Sequence, residues 1–367
     1  MTGGGGAYTA AMDSSGDFAY CREVLPAVSR TFALGIGMLR DPLRDEIGVA
    51  YLICRLLDTL EDTTGLPAPA RAALLDRWAE TFMDEAYWPA LAADMERMFA
   101  APALRGADHD LCRHASTVLR AFHALRPGAR LAQSASIAEM ARGMAATVRR
   151  EMGGEGLRLR DEEDLKRYCY YVAGTVGKLL CNQWALDRPR TITPEVKAAL
   201  DARAVSFGLG LQVTNIIKGV TDDIARGVAY VPQRLFDQAG ITLDTLLHNP
   251  TDPRGRKVVA GLAELTLGWL DEALEYTLAI PAGEGDIRMF CALPLVFAVR
   301  TLARALRTTD VFSERVLKIG RDEVGAITST LEASVGDAHE LRRFYVLEKS
   351  AALAAIVAGR SMGRTRG

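Results

Sequence analysis

Histidine is scarce in this chain: there are five, scattered and without a cluster. The six cysteines, Cys21, Cys54, Cys112, Cys169, Cys181 and Cys291, form no CxxC pair. These shortages argue against a zinc module or a dithiol redox motif, and predict buried free thiols in a reducing cytoplasm. An excess of positive charge is also missing. The formal net charge is −2, which argues against a nucleic-acid binder that works by neutralising phosphates. The N-terminus, MTGGGGAYTA, has no basic start and no apolar run, so no secretory signal is expected. The most apolar C-terminal stretch, residues 351–358, is far short of the ~20 residues of a spanning helix, and no transmembrane anchor is expected. Sustained period-two alternation is absent, so no sheet is expected.

What the chain does have is apolar content, 49% of residues, enough for a sizeable core. From Phe18 onward the apolar spacing is helical. Residues 1–16 are Gly-, Ala- and Ser-rich and read as a disordered tail, residues 17–360 as one all-helical domain, and residues 361–367 as a second tail. Pro42 sits where a helix can begin, and Gly65-Leu66-Pro67 ends it. Helices are expected over 68–99 (one or two), 111–125, 137–151, 161–186, 193–223, 258–277, 286–306, 316–331 and 341–358. Arg126-Pro127-Gly128 ends the second of these, 241–254 is a connector, and Pro294 predicts a kink.

Two stretches carry chemistry. YLICRLLDTLED, residues 51–62, places Asp58, Glu61 and Asp62 at i, i+3 and i+4, one helical face, with Arg55 on the same side. GLGLQVTNIIKGVTDD, residues 208–223, places Asn215, Gly219, Asp222 and Asp223 at i, i+4, i+7 and i+8. Carboxylates on an otherwise apolar helix are costly to bury unless a cation partners them. Clustered oxygen ligands suit Mg²⁺, which is usually held by one or two carboxylates plus substrate phosphates. Two such helices facing each other would form a cleft for a magnesium diphosphate. Solvated acidic faces are the plainer reading of either stretch alone; the pair makes it less economical.

With VSRTFALGI, YCYYVAGTVG and FCALPLVFAVRTL added in order, the chain resembles the squalene/phytoene synthase family, its squalene-synthase branch in particular, over residues 20–331. The resemblance implies a single all-α domain of the isoprenoid-synthase type around a central cavity. It implies that Mg²⁺ bridges the acidic motifs and a prenyl diphosphate, that diphosphate leaves and an allylic cation forms, and that a second prenyl diphosphate is alkylated to a cyclopropyl intermediate, reduced with NADPH in squalene synthases. By position it assigns metal ligation to Asp58, Glu61, Asp62, Asn215, Asp222 and Asp223. Diphosphate contact falls to Ser29, Arg30, Arg55 and Lys218, catalysis to Tyr171, Tyr168 and Arg55, and the substrate pocket to Phe32, Tyr51, Gln212, Gly219 and Phe290.

The departures point elsewhere. The family's NIIRDxxED reads NIIKGVTDD here: the aspartate is Gly219, the arginine Lys218, the glutamate Asp222. The exit-loop arginine is Val228. Lys218 cannot reproduce a bidentate arginine fork. The segment usually written KIRKGQA reads KIGRDEV, and its acids Asp322 and Glu323 are expected to disfavour NADPH. One good anion site and one weakened site lead to the expectation of an altered acceptor. That expectation is Mg²⁺-dependent transfer of a prenyl group, dimethylallyl by analogy, to a carbon of a carbazole- or indole-like aromatic molecule in specialised metabolism. The final proton would pass to Tyr171, Asp222, Asp223 or the released diphosphate. The alternatives are head-to-head coupling of two farnesyl diphosphates to squalene or presqualene diphosphate, and a non-catalytic binding subunit.

Overall fold

A computed structural model describes residues 14–153, 156–308, 312 and 317–362. Of the expected tails, residues 1–13 and 363–367 lie outside these. Helix begins at Ser15 and the last helix reaches Met362, each two residues beyond the boundary read from composition.

The described residues are helical almost throughout, around one continuous apolar core. The exception corrects the expectation of no sheet. Leu157–Arg158 and Val228–Ala229 pair in parallel, Leu157 against Val228 and Arg158 against Ala229. Strands of two residues are too short to show alternation.

Helix boundaries moved where a breaker also starts the next element. Pro127 occupies the first turn of Pro127–Glu151, where its missing N–H costs nothing, so that helix begins ten residues before the expected 137. The segment expected at 111–125 is two helices, Ala107–Cys112 and Ala115–His123. The 241–254 connector contains the helix Leu243–His248. The helix Gly285–Arg307 runs unbroken through Pro294. It is also long and apolar enough to cross a membrane by composition, contrary to the expectation that no segment is, but 89% of its most apolar window is buried inside the fold. It packs against Arg30–Met38, Pro194–Ala225, Pro253–Ala279 and Ala338–Met362, as a core helix does.

Two elements position the site. Leu43–Asp62, the first acidic helix, buries Leu52, Ile53, Leu56, Leu57 and Leu60 and turns its acids toward a cleft. Its buried Glu46 is satisfied by Arg126 at 2.6 and 2.8 Å and by Gln183 at 2.5 Å. Pro194–Ala225, the second, starts at the N-cap Thr193 with Pro194 in its first turn. It lies so close to the preceding helical segment that a Cβ on Gly177 would sit 2.2 Å from the Ala204 carbonyl oxygen, and one on Gly208 2.4 Å from that of Ala173. Only glycine permits that backbone contact.

Candidate active site

Both acidic motifs end in the last turn of their helices, and neither last turn carries a basic residue. The negative end of the helix macrodipole disfavours carboxylates there. An outside cation is therefore needed, and the structure supplies one. Arg226, the C-cap of the second helix, reaches Asp62 Oδ1 with Nη1 at 2.6 Å and Asp223 Oδ1 with Nη2 at 2.6 Å. One guanidinium thus joins the two motifs, which face each other across the cleft as the sequence implied.

Arg55 stands three residues before Asp58 and binds its Oδ2 at 2.7 Å. Its other donors grip Asp108 in a fork, Nε to Oδ1 at 2.8 Å and Nη2 to Oδ2 at 3.0 Å. Asp58 is nevertheless pushed up to about 6, by burial and by the charge of Asp62. Asp223 is likewise raised to about 6 by burial, with Arg226 pulling the other way. Glu61 differs from its neighbours. It is 1% exposed, both carboxylate oxygens lack a hydrogen-bond partner among the described residues, and its pKa is raised well above the ordinary value by burial and by Asp62 and Asp58. Of the three acids it is the one withdrawn from the open cleft, since Asp58 and Asp62 are each about a third exposed.

Asn215 and Asp222 are exposed. Lys218 donates to Asn215 Oδ1 at 3.2 Å, and its pKa is lowered by burial and by the positive charges of Lys318 and Arg55. Lys318 and Arg55 therefore both lie near enough to Lys218 to oppose its charge. Ser29 caps Arg30–Met38, its Oγ accepting from the Phe32 N–H at 3.2 Å, and Arg30 beside it is exposed. Phe32 lies 5.3 Å from the Tyr51 ring, whose hydroxyl is pushed up to about 12 by burial, partly offset by Ser29 and Arg55. Phe290 is buried, edge-on to Trp184 at 5.5 Å and against Gly35. Gln212 is half-buried.

The tyrosine segment is a π-turn, Tyr170–Gly174, set between Glu162–Cys169 and Thr175–Asp187. Such insertions recur at functional sites because they re-aim side chains. Tyr171 rests on Gly143, where a Cβ would lie 2.0 Å from its Cγ. Tyr168 is buried and stacks on Tyr230 at 4.2 Å; burial raises both hydroxyls far above their usual value, and Glu61 and Asp62 add to it.

The oxygen-rich set fits a divalent cation carried with phosphate. Among the described residues no three His, Cys, Asp or Glu side chains converge into a ready-made cage. Magnesium usually needs only one or two carboxylates besides the phosphates, and Asp58 and Asp62 are open to it. The squalene/phytoene synthase model matches residues 25–322. The chain belongs to that family. Its members are prenyltransferases.

Among relatives of this family member, a squalene synthase of Schizosaccharomyces pombe is 28% identical over 81% of the chain and 61% of that protein. Squalene synthase 1 of Arabidopsis thaliana is 27% identical over 82% of the chain and 68% of that protein. The chain thus spans three fifths to two thirds of the length of the curated relatives it matches. Among solved structures, a ligand complex of TcSQS superposes with a TM-score of 0.76 at 22% identity, covering 94% of this chain and 99% of that one. A dehydrosqualene synthase superposes at 0.58 and 19%, covering 88% and 97%. These likenesses establish the all-α isoprenoid-synthase fold.

Within this family member, sequence reasoning passed over several residues. Arg226 carried a signal, since i+3 from Asp223 shares a helix face. Gly143, isolated in a helical pattern, carried a weaker one. Asp108 and Tyr230 carried none that spacing reveals. One electrostatic argument is corrected. Glu323 accepts from the Gly320 N–H at 3.0 Å and pairs with Arg300 at 3.3 Å and with Arg304. Its charge is met there, which removes Glu323 from the argument and leaves it resting on the exposed Asp322.

Proposed function

We propose that the protein is a Mg²⁺-dependent prenyltransferase that couples two prenyl diphosphates head to head, as a squalene or presqualene-diphosphate synthase does. The observation that carries this reading is the pair of acid-bearing helix ends facing each other across one cleft, joined at Asp62 and Asp223. The names of the relatives favour the same reaction.

Asp58 and Asp62 would hold the metal, with Asp223, Asp222 and Asn215 across the cleft; bound there, it would supply Lewis-acid charge that eases departure of diphosphate. Arg55, Lys218 and Lys318 gather positive charge where the leaving group's negative charge would develop, and Ser29 and Arg30 stand as further phosphate contacts. Tyr51 and Phe32 present ring faces beside them, which stabilise a carbocation through the π quadrupole. Tyr171, aimed by the π-turn and seated on Gly143, stands as the group that assists ionisation or takes the proton.

A second reading is favoured by Gly219, which lacks a ligand carboxylate and opens space beside Asp223. There the prenyl group passes instead to a carbon of a neutral aromatic acceptor, and head-to-head coupling is lost. Purified protein with Mg²⁺, with and without NADPH, tests both. It receives dimethylallyl, geranyl or farnesyl diphosphate, alone or with indole, carbazole and phenolic acceptors. A C30 product from farnesyl diphosphate alone supports the first reading. Prenylated aromatic product without any C30 product replaces it with the second, and absence of diphosphate release rejects both.

A further inference from the structure

The second motif is a poor metal site by charge. Asp222 and Asp223 are its only acids, because position 219 is glycine. Within the same two turns stand Lys218 and Arg226, so two negative charges meet two positive ones. The first motif keeps three acids against Arg55, which is itself shared with Asp108. The two helix ends are therefore unequal, although both need a cation.

Arg226 meets that need at the point where they approach. Its two Nη groups go to Asp62 and Asp223, one to each motif, and its buried Nε has no acceptor among the described residues. The fork is thus oriented by the two carboxylates, with the Asp62 carbonyl oxygen a longer contact of Nη1 at 3.5 Å. Val228, at the position where the resemblance led one to expect a cation, is buried in the short strand Val228–Ala229 and points its charge-free side chain inward. The cation of this helix exit stands two residues earlier, and the geometry turns it toward the metal-binding acids.

We propose that Arg226 is a resident cation of the cleft, filling the place between the two motifs that a divalent ion would otherwise take. The protein then takes up metal chiefly at Asp58 and Asp62 and holds fewer divalent ions than its acid count suggests. The inference rests on the reading that these motifs bind metal with diphosphate, and the test separates the two.

Mn²⁺ binding to the full-length protein is measured by electron paramagnetic resonance, with and without inorganic pyrophosphate. Wild type is compared with Arg226→Gln and with Lys197→Gln, at a residue that pairs with Asp201 on the same helix. The second variant removes the same charge from the same helix but touches neither Asp62 nor Asp223. Thermal melting of each variant confirms that it is folded. The expected result is one additional Mn²⁺ per chain in Arg226→Gln, bound roughly tenfold or more tightly than any second ion in wild type, while Lys197→Gln keeps the wild-type stoichiometry. Arg226→Lys, which keeps the charge but cannot span both carboxylates, falls between. Equal stoichiometry in wild type and Arg226→Gln overturns the resident-cation role and leaves the metal reading standing. An equal rise in both Gln variants also overturns it, because general charge then explains the effect. Absence of Mn²⁺ binding in every variant, even with pyrophosphate, overturns the inference together with the metal reading beneath it.

Discussion

Gly219→Asp restores the carboxylate that the second acidic helix lacks. A Cβ at this position meets nothing nearer than Asp223 Oδ2 at 3.9 Å, so the substitution carries no steric cost. Replacing glycine inside a helix gains about 0.3 kcal/mol in propensity. The new like-charge pair at i, i+4 costs about 0.2–0.5 kcal/mol. The two nearly cancel, and the melting temperature should move by less than about 2 °C. Function should respond far more. A unit charge pair 4 Å apart at an effective dielectric of 20 is worth about 4 kcal/mol. Even a third of that, felt by a divalent ion, tightens binding about tenfold. The assays are thermal melting, Mn²⁺ titration and product formation. We expect unchanged melting, tighter Mn²⁺ binding, retained or raised C30 formation and impaired aromatic prenylation. A melting drop of more than about 5 °C would refute the open space at 219. Unchanged Mn²⁺ affinity would show that 219 does not face the metal. Normal aromatic prenylation by the variant would remove Gly219 from any adaptation to the acceptor.

Three further outcomes are expected. Gly143→Ala forces Tyr171 off its seat and should destabilise by about 1–3 kcal/mol through overpacking. Its loss of kcat should largely vanish in a Tyr171→Ala background, and full additivity in that double mutant would disprove coupling through Tyr171. Asp108→Asn frees the Arg55 fork; because the pair is partly exposed, melting should change by less than about 1 kcal/mol, whereas KM for the prenyl diphosphate rises severalfold, and an unaltered KM counts against Arg55 as a diphosphate contact. Asp58 and Asp223 titrate near 6 in the fold, above the ordinary carboxylate value. Protonation therefore favours the folded state: their contribution is complete below about pH 4 and lost as pH rises through 6. Metal-free protein should melt higher at pH 5 than at pH 7, by a margin that shrinks in Asp223→Asn, while stabilisation by Mg²⁺ fades over the same interval; a margin identical in the variant contradicts this.

The helices were legible because apolar spacing, Pro42, Pro67 and Thr193 each act locally. The first motif was legible for the same reason: Arg55, Asp58 and Asp62, at i, i+3 and i+7, share one helix face. What escaped depended on contacts between distant segments. Asp108 lies 53 residues from Arg55 in sequence, in the first turn of the short helix Ala107–Cys112, and nothing in its spacing marks it. The withdrawal of Glu61 from its companions follows from how its helix is packed, and spacing alone groups it with Asp58 and Asp62. Pro127 shows another limit, since the same residue that closes one helix is well suited to open the next. Glu323 shows a third: it reads with Asp322 as repulsive to a cofactor, yet Arg300 and Arg304 approach Glu323 from another helix.

The apolar helix Gly285–Arg307 has a consequence for biogenesis. This segment is synthesised before residues 338–362, and the helix Ala338–Met362 is one of the faces that later cover it. For that interval the nascent chain displays an apolar segment of membrane-spanning length that a holdase would bind. A transcript truncated before Ala338 makes that exposure permanent, so the final helix acts as a quality gate. Chains lacking it should accumulate in the insoluble or membrane fraction even with every residue of the cleft intact.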